Sequence, residues 1–296
     1  MSREQLDKLE MVLRTRPFDR SQSIEAQRRS FDSFAVRPVP QDVTMRDVEL
    51  GGISAIELTV AGNDAEPAVL YFHGGGYVVG SARTGAHLAA ELARRTGGRA
   101  LSVDYRLAPE HPYPAAVEDG VAAYAGLLDT GMPSGRVLVA GDSAGGGLAI
   151  AVLLAARDKG LAQPAAAAAF SPWTDMTRTG ASMRTKVNAD PLFSYEAMGW
   201  YASRYVPSGD PSAPLASPAF ASLAGLPPLL LQAGSHEVLM DDAVRLAAAA
   251  ATADVDVTLQ VTAGAAHVFQ NSFGGIVDEA DQALDDVARF ALRRFR

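Results

Sequence analysis

The chain has 296 residues, no cysteine, and 26 basic against 34 acidic side chains, which gives a formal net charge of −8. With this balance and no basic cluster, we do not expect nucleic acid as a partner. The missing cysteines exclude disulfide bonds, thiol nucleophiles and thiolate metal sites. The histidines are scattered and form no H-E-x-x-H pattern, so we expect neither a metal nor a cofactor. The length suits one α/β domain over residues 1–296.

The first residues, Met1 to Lys8, are charged and lack the apolar core of a signal peptide, which predicts a cytoplasmic location. Residues 137–156 resemble a membrane span in their hydropathy. However, Asp142 and several glycines interrupt them, so we expect no membrane association.

Hydrophobic periodicity predicts the elements in chain order. Residues 3–14 have leucines at helical spacing, and residues 42–50 and 53–60 form two strands joined at Gly51-Gly52, a predicted antiparallel hairpin. Beyond them, helical segments alternate with apolar runs of strand length, at 68–72, 100–104, 136–140, 165–170, 228–233 and 255–262. Such alternation predicts an α/β fold with a mostly parallel sheet flanked by helices, eight-stranded when the hairpin is included.

Three consecutive glycines follow the strand at 68–72, in the sequence His73-Gly74-Gly75-Gly76-Tyr77. Glycines after a strand let the backbone approach a ligand closely and aim N–H groups at it. In acyl transfer, donors held in this way stabilise the oxyanion by roughly 3–4 kcal/mol each. We assign this oxyanion-hole role to the N–H groups of Gly75, Gly76 and Ala144. The alternative is a flexible turn that binds no ligand.

The sequence Gly141-Asp142-Ser143-Ala144-Gly145 lies between the strand at 136–140 and a small, apolar segment at 146–156 that is predicted to be a buried helix. A G-x-S-x-G motif in this position holds the serine on a sharp, strained turn, with its hydroxyl exposed at the carboxyl end of the sheet. Side chains in place of the two glycines would clash within so tight a turn. Ser143 is therefore the predicted nucleophile.

The base of such an elbow comes last in the chain, in the order Ser…Asp/Glu…His. His267 follows the strand at 255–262 in a loop of small residues, and neutral histidine takes a serine proton near pH 7, so it is the predicted base. His73 precedes the serine and is expected to brace the glycine loop instead. Glu237 follows the strand at 228–233 and is the predicted acid that orients the imidazole. Asp241 is the alternative, although it suits the first turn of the next helix.

With these motifs in this order, the chain resembles the hormone-sensitive-lipase-like esterases, the bacterial family IV of the α/β-hydrolase superfamily. The resemblance spans nearly the whole chain and rests on the sequences His73-Gly-Gly-Gly76, Asp104-Tyr-Arg-Leu-Ala-Pro-Glu110, Gly141-Asp-Ser-Ala-Gly-Gly146, Ser171-Pro-Trp-Thr-Asp175 and Gly264-Ala-Ala-His267. It implies the α/β-hydrolase fold, with Ser143 as nucleophile and His267 as base. The family's usual acid is Asp in an Asp-x-Leu pattern, where this chain has Glu237-Val238-Leu239.

Two segments do not fit the alternation, the N-terminal region to about residue 40 and the region from about 175 to 218. The second has Ser194 in position to cap a helix rich in aromatic residues, although such a helix is more often simply core. In the resembling family these segments form a helical cap that lines the acyl or alcohol pocket. On this basis we expect Met198 and Tyr201 to bind substrate, with Phe18 and Phe34 as weaker candidates. Tyr77 is a further candidate, because it lies beside the glycine loop.

The charged turn at 104–110 leaves a strand close to the glycine loop. A catalytic role is one interpretation of its charges, but we favour a structural one. Asp104, Arg106 and Glu110 are predicted to form a polar network that fixes the oxyanion loop.

These features predict a serine carboxylesterase that hydrolyses short- to medium-chain esters of small molecules through an acyl-enzyme intermediate. A lactone hydrolase would use the same site on a cyclic ester. A non-catalytic small-ligand receptor is the alternative from another class, but receptors that resemble this family have lost the histidine that is present here as His267. The resemblance also suggests a homodimer built along an edge strand such as 255–262.

Overall fold

The computed structural model describes residues 3–15, 20–63 and 66–296. In this part of the chain, one eight-stranded sheet has the order β1-β2-β4-β3-β5-β6-β7-β8. The strands are β1 (Val43–Leu50), β2 (Ile53–Val60), β3 (Ala68–Phe72), β4 (Arg99–Val103), β5 (Val137–Asp142), β6 (Ala166–Phe170), β7 (Leu229–His236) and β8 (Val257–Ala266). β2 runs antiparallel to β1 and β4, and the other neighbouring strands are parallel. The predicted α/β fold and the predicted hairpin are both confirmed.

Helices cover both faces of the sheet. They are α1 (Arg3–Arg14), α2 (Ile24–Ala35), α3 (Ala82–Thr96), α4 (Ala115–Asp129), α5 (Ala144–Asp158), α6 (Ser182–Thr185), α7 (Tyr195–Tyr205), α8 (Met240–Thr252) and α9 (Asp278–Leu292). Successive strand residues point to opposite faces, so in β3 Val69 and Tyr71 join the core under α3 and α9. Leu70 and Phe72 join the second core, under α4, α5 and α8.

β7 and β8 run farther than the sequence predicts, because they end at His236 and Ala266 rather than at 233 and 262. The pair continues through a register shift between Gly234 and His236. A Cβ atom on Gly234 would lie 2.1 Å from the carbonyl oxygen of Ala265, so only glycine allows this close pairing. As a consequence, residues 237 and 267 follow the ends of two neighbouring strands.

Helices α1, α2, α6 and α7 belong to the two segments that are expected to form a cap. The hydroxyl of Ser194 accepts a hydrogen bond from the Ala197 N–H (3.2 Å), which confirms the predicted cap at the start of α7. Met198, Tyr201 and Tyr205 of α7 pack into the core that lies under α4, α5 and α8. None of the helices within the described ranges combines the length and the apolar character that crossing a bilayer would require.

Candidate active site

Ser143 lies on the turn between β5 and α5, where the sequence predicts a nucleophile elbow. Its φ and ψ of 54° and −121° are strained for a residue with a side chain. A Cβ on Gly141 would lie 2.3 Å from the carbonyl oxygen of Gly145, and one on Gly145 would lie 2.0 Å from that of Phe72. Both contacts are far shorter than atoms tolerate, so the two glycines are a steric requirement of the elbow.

The glycine loop follows β3 and turns with positive φ values of 122° at Gly75 and 61° at Gly76. A Cβ on Gly75 would lie 2.1 Å from the carbonyl oxygen of Val79, and one on Gly76 would lie 2.5 Å from the ring of Tyr201. No group in the described ranges accepts a hydrogen bond from the N–H groups of Gly75, Gly76 or Ala144. These three donors are therefore available to a ligand, as an oxyanion hole requires.

His73 braces this loop, as the sequence predicts. Its Nδ1–H donates to the Gly74 carbonyl oxygen (2.8 Å), and its own carbonyl accepts from the Tyr105 hydroxyl (2.6 Å). The two rings stack with their centroids 4.3 Å apart. Burial lowers the pKa of His73 to about 4, so the imidazole is neutral near pH 7.

Asp142 joins the elbow to the glycine loop, a role that the sequence analysis did not assign. Its Oδ1 accepts hydrogen bonds from the Tyr71 hydroxyl (2.6 Å) and the Gly74 N–H (3.0 Å). The three residues lie on the neighbouring strands β3 and β5 or just beyond them. Because the bonds span about seventy positions of sequence, no local pattern indicates them.

Glu237 and His267 are in contact at the ends of β7 and β8. The imidazole Nδ1 lies 2.5 Å from Glu237 Oε2, and both side chains are buried. The second carboxylate oxygen of Glu237 accepts from the Gly234 N–H (2.6 Å) and the Ser171 hydroxyl (2.9 Å). Asp241, the alternative acid, instead accepts from the Ser182 N–H of α6 (2.8 Å). The geometry therefore favours Glu237 as the group that orients the imidazole.

The surroundings of His267 favour its charged form. Burial lowers the pKa of the imidazole, but the hydrogen bond and the negative charge of Glu237 outweigh this effect, and the charges of Asp190 and Asp142 add to them. The net result is a raised pKa. Because Nδ1 is bonded to Glu237, Nε2 is the nitrogen that remains for a serine proton.

Ser143, His267 and the glycine loop line one cavity of about 120 Å³. Most of its other walls are apolar and come from the two segments expected to form the cap: Leu9, Leu13, Phe31, Phe34 and Ala35 from the first, and Leu192, Phe193, Met198 and Tyr201 from the second. Three of the predicted pocket residues, Met198, Tyr201 and Phe34, are thus in place. Phe18 lies outside the described residues.

Tyr77 does not line this cavity, so its placement in the pocket was wrong. The residue has a φ of 63°, which turns its side chain away from the site and into the core. There the ring stacks on Tyr205, with a centroid distance of 3.7 Å, and is almost fully buried. Tyr77 therefore supports the glycine loop from behind.

The predicted network of the charged turn at 104–110 is also wrong, because its members have separate partners. The contacts are Asp104 with the Ala82 N–H at the start of α3, Arg106 with Asp119 of α4, and Glu110 with Arg28 of α2. Each side chain fixes the turn to a different helix. Of these three contacts, only the one between Glu110 and Arg28 reaches an element that lines the cavity, because α2 also carries Phe31 and Phe34.

Comparison with known proteins agrees with this geometry. Residues 69–271 match a family described as having the alpha/beta hydrolase fold. An acetyl-hydrolase of Streptomyces hygroscopicus is 46% identical over 222 residues, which cover 75% of this chain and 74% of that protein. An esterase of Acinetobacter venetianus is 37% identical over 268 residues, 87% of this chain and 88% of that protein.

Among solved structures, an esterase from the bacterial hormone-sensitive lipase family is 40% identical and has a TM-score of 0.94, with 99% of each chain covered. The shared fold, the order of the motifs and the site geometry therefore lead to one assignment. The chain belongs to the hormone-sensitive-lipase-like, bacterial family IV esterases of the α/β-hydrolase superfamily.

Proposed function

We propose that this protein is a serine carboxylesterase that hydrolyses short- to medium-chain carboxylic esters through an acyl-enzyme intermediate. One observation carries the proposal: His267, which is bonded to Glu237, lines one cavity together with Ser143, Gly75 and Gly76. Acyl transfer needs a nucleophile, a base held by an acid, and an oxyanion hole, and each of these has a residue here.

The proposed reaction uses these groups in two half-reactions. His267 Nε2 takes the proton of Ser143 as Oγ attacks the ester carbonyl, and the N–H groups of Gly75, Gly76 and Ala144 stabilise the oxyanion. The tetrahedral intermediate collapses, the C–O bond to the alcohol breaks, and the alcohol leaves with the proton from His267. Water then attacks the acyl-enzyme, gives its proton to His267, and releases the carboxylic acid as Ser143 recovers its hydrogen. Glu237 stabilises the imidazolium in both steps.

The size and the lining of the cavity support a short to medium acyl chain. A volume of about 120 Å³ is of the order of the ~150 Å³ cavities that hold one benzene molecule. The walls around Met198 and Phe34 are apolar, so they favour an aliphatic group over a charged one. The most similar relative named above, an acetyl-hydrolase, acts on a short acyl group by its description.

The test is hydrolysis of p-nitrophenyl esters from acetate to palmitate by the wild type and by Ser143→Ala. We expect activity to peak at short or medium chains and to fall on the order of 10⁶-fold in kcat in the variant. Met198→Ala, which enlarges the cavity but leaves the triad in place, should move the peak to longer chains. Substantial activity of pure, folded Ser143→Ala would contradict the assignment of the nucleophile.

The same experiment separates the alternatives. Turnover of lactones with none of linear esters would favour a lactone hydrolase. A folded protein that binds esters and turns over neither class would favour a receptor. The contact between Glu237 and His267 weighs against the receptor, since such a protein has no need of an oriented base.

We also propose a homodimer and a cytoplasmic location. Within the described ranges, β8 is the last strand of the sheet and pairs only with β7, so its outer edge supports pairing with a second copy. Light scattering coupled to gel filtration tests the first proposal, and fractionation of the producing cells tests the second. A purely monomeric protein would contradict the dimer.

A further inference from the structure

Asp190 is a buried carboxylate that the proposed reaction does not use. It lies in the segment before α7, and its side chain is 5% exposed. Oδ1 accepts hydrogen bonds from the N–H groups of Leu192 (2.8 Å) and Phe193 (2.9 Å). Oδ2 accepts from the N–H of Val238 (2.8 Å), which is the residue after the triad acid. The Asp190 carboxylate therefore joins the cap segment at residues 175–218 to the backbone that carries Glu237.

Asp190 also fixes the aromatic ring of Phe193 against His267, the base. Phe193, which donates its N–H to Asp190, presents its ring edge-on to His267, with centroids 5.1 Å apart and planes at 89°. It makes a second edge contact with Tyr201, at 6.4 Å and 77°. Asp190 thus holds the surroundings of both the acid and the base, through Val238 on one side and Phe193 on the other.

Charge adds a second effect to this geometry. The acidic groups that act on His267 come from three elements: Glu237 from the end of β7, Asp142 from the end of β5, and Asp190 from the cap segment. Burial raises the pKa of Asp190, and the imidazole together with the three N–H donors opposes that rise. Those donors bind the ionised carboxylate better than the neutral acid.

We propose that Asp190 is a positioning residue for the acid and the base: it fixes the loop of Glu237 and stabilises the imidazolium of His267 from the cap side. The inference rests on the proposed function, since it concerns the same reaction. It adds a role for the cap beyond forming the substrate pocket, because a cap residue that does not line the cavity acts on the proton transfer.

Removing the charge of Asp190 should change the pH profile and kcat in a definite direction. A negative charge near His267 favours its protonated form, so removing that charge lowers the pKa of the imidazole. The base is then free at lower pH, and the acidic limb of the kcat/KM profile moves to lower pH. The imidazolium that forms in the transition state is also less stabilised, so kcat falls. KM stays near its wild-type value in Asp190→Asn, because the amide oxygen still accepts hydrogen bonds from Leu192 and Phe193, the two neighbours that line the cavity.

The test compares Asp190→Asn with Asp241→Asn. Both carboxylates bridge the cap segment and the region after β7, since Asp241 of α8 accepts from the Ser182 N–H of α6. Within the described residues, the carboxylates with the largest effects on the pKa of His267 are Glu237, Asp190 and Asp142, so Asp241 controls for loss of the bridge. For Asp190→Asn we expect kcat about tenfold lower and an acidic limb about half a pH unit lower. For Asp241→Asn we expect kcat within about twofold of wild type and the acidic limb within about 0.2 pH unit of it.

Asp190→Ser provides a second uncharged variant if Asp190→Asn does not fold, because the serine hydroxyl still accepts a hydrogen bond from the N–H groups that follow it. Thermal unfolding of all variants is measured alongside the pH profiles. Equal losses of stability in both asparagine variants with an unmoved acidic limb would overturn the proposal and leave Asp190 a purely structural residue. A wild type inactive on every ester would instead overturn the proposed function and this inference with it.

Discussion

The two sides of the active site are built by different means. The nucleophile side, which comprises the glycine loop (73–79) and the elbow (141–145), is built from backbone. Its glycines and Ser143 have dihedral angles or close contacts that few residues tolerate. The acid–base side, which comprises Glu237, His267 and the groups that bind them, is built from buried hydrogen bonds between side chains and backbone. Steric substitutions should therefore damage the first side, and isosteric polar substitutions the second.

A buried histidine lies on each side, and their pKa values move in opposite directions. Burial lowers the pKa of His73 to about 4, because the hydrogen bond of its ring to the backbone carbonyl of Gly74 does not offset the loss of solvent. Burial also lowers the pKa of His267, but the hydrogen bond and charge of Glu237 reverse the outcome. Both residues are buried histidines, so the carboxylate of Glu237, which is bonded to His267, decides that His267 is the one that accepts a proton during the reaction.

After the loss of the nucleophile itself, the largest effect is expected from Glu237→Gln, an isosteric change on the acid–base side. An amide cannot stabilise the imidazolium and favours the wrong tautomer of His267, which lowers kcat by about 10⁴-fold in comparable triads. Asp241→Asn is the matched control, with kcat within about twofold of wild type. Steady-state kinetics on p-nitrophenyl acetate measures both. The reverse order of effects would move the acid to Asp241.

A steric change on the nucleophile side should come next. In Gly75→Ala the new Cβ would collide with the Val79 carbonyl and displace an oxyanion donor. We expect kcat lower by about 10²–10³-fold. Gly131→Ala is the control, because Gly131 also has positive φ (91°) but has nothing within 4 Å of the added atom. In urea unfolding, Gly131→Ala should lose about 1 kcal/mol of stability to backbone strain, and Gly75→Ala should lose more because of the added collision. Wild-type activity in Gly75→Ala would show that the Gly75 N–H is not part of the oxyanion hole.

The same contrast explains which features the sequence predicts. Residues 141–145 define the elbow within five positions, because its steric demands leave glycines behind in the motif, whether the crowding atom belongs to the elbow or to Phe72 on the neighbouring strand. The acid–base side depends on partners far away in sequence. Ser171 is 66 positions from Glu237, and Asp190 is 48 from Val238. Motif order located Glu237 and His267, but no spacing rule indicates the groups that hold them.

The two wrong predictions have a common physical cause. The position of Tyr77 after the glycine loop predicts a pocket residue, but the side chain lies in the core, where its ring stacks on Tyr205. The closeness of Asp104, Arg106 and Glu110 in sequence predicts one network, although each contacts a different helix. Proximity along a chain predicts where a residue lies, whereas the direction of its side chain depends on dihedral angles that the sequence does not display.

A moderate effect is expected from Ser171→Ala, on the acid–base side. The Ser171 hydroxyl donates to Glu237 Oε1 (2.9 Å) and accepts from the Val268 N–H (3.0 Å), so it links the acid to the residue after the base. Its loss should lower kcat about tenfold and cost about 1–3 kcal/mol of stability, because buried polar groups lose their partner.

Ser182→Ala is the matched control for this change. The Ser182 hydroxyl also makes two hydrogen bonds. It donates to the Val238 carbonyl (2.6 Å) and accepts from the Asp241 N–H (3.0 Å). It should lose similar stability and keep its kcat. Equal kinetic losses in the two variants would mean that the region after β7, and not the bond to Glu237, determines the effect.

The smallest effect is expected where the cap supports the nucleophile side. Arg28 of α2 donates through Nε to the Val78 carbonyl (2.9 Å) and through its terminal nitrogens to Glu110 (2.7 and 2.9 Å), so it holds the outer end of the glycine loop. Lysine cannot reproduce this fork. Because Glu110 is about half exposed, solvent weakens the ion pair, and Arg28→Lys should lower kcat/KM only about threefold.

Arg14→Lys distinguishes an effect on the loop from a general loosening of the cap. Arg14 of α1 has the same kind of partners, the carboxylate of Glu10 and the carbonyl oxygens of Asn188 and Ala189, and none of its hydrogen bonds within the described ranges reaches the glycine loop. We expect similar losses of about 1 kcal/mol in unfolding free energy for both variants. Only Arg28→Lys should lower kcat/KM with the acetate ester. If Arg14→Lys lowers it equally, the cap acts on the site as one body, and the glycine loop does not depend on Arg28 in particular.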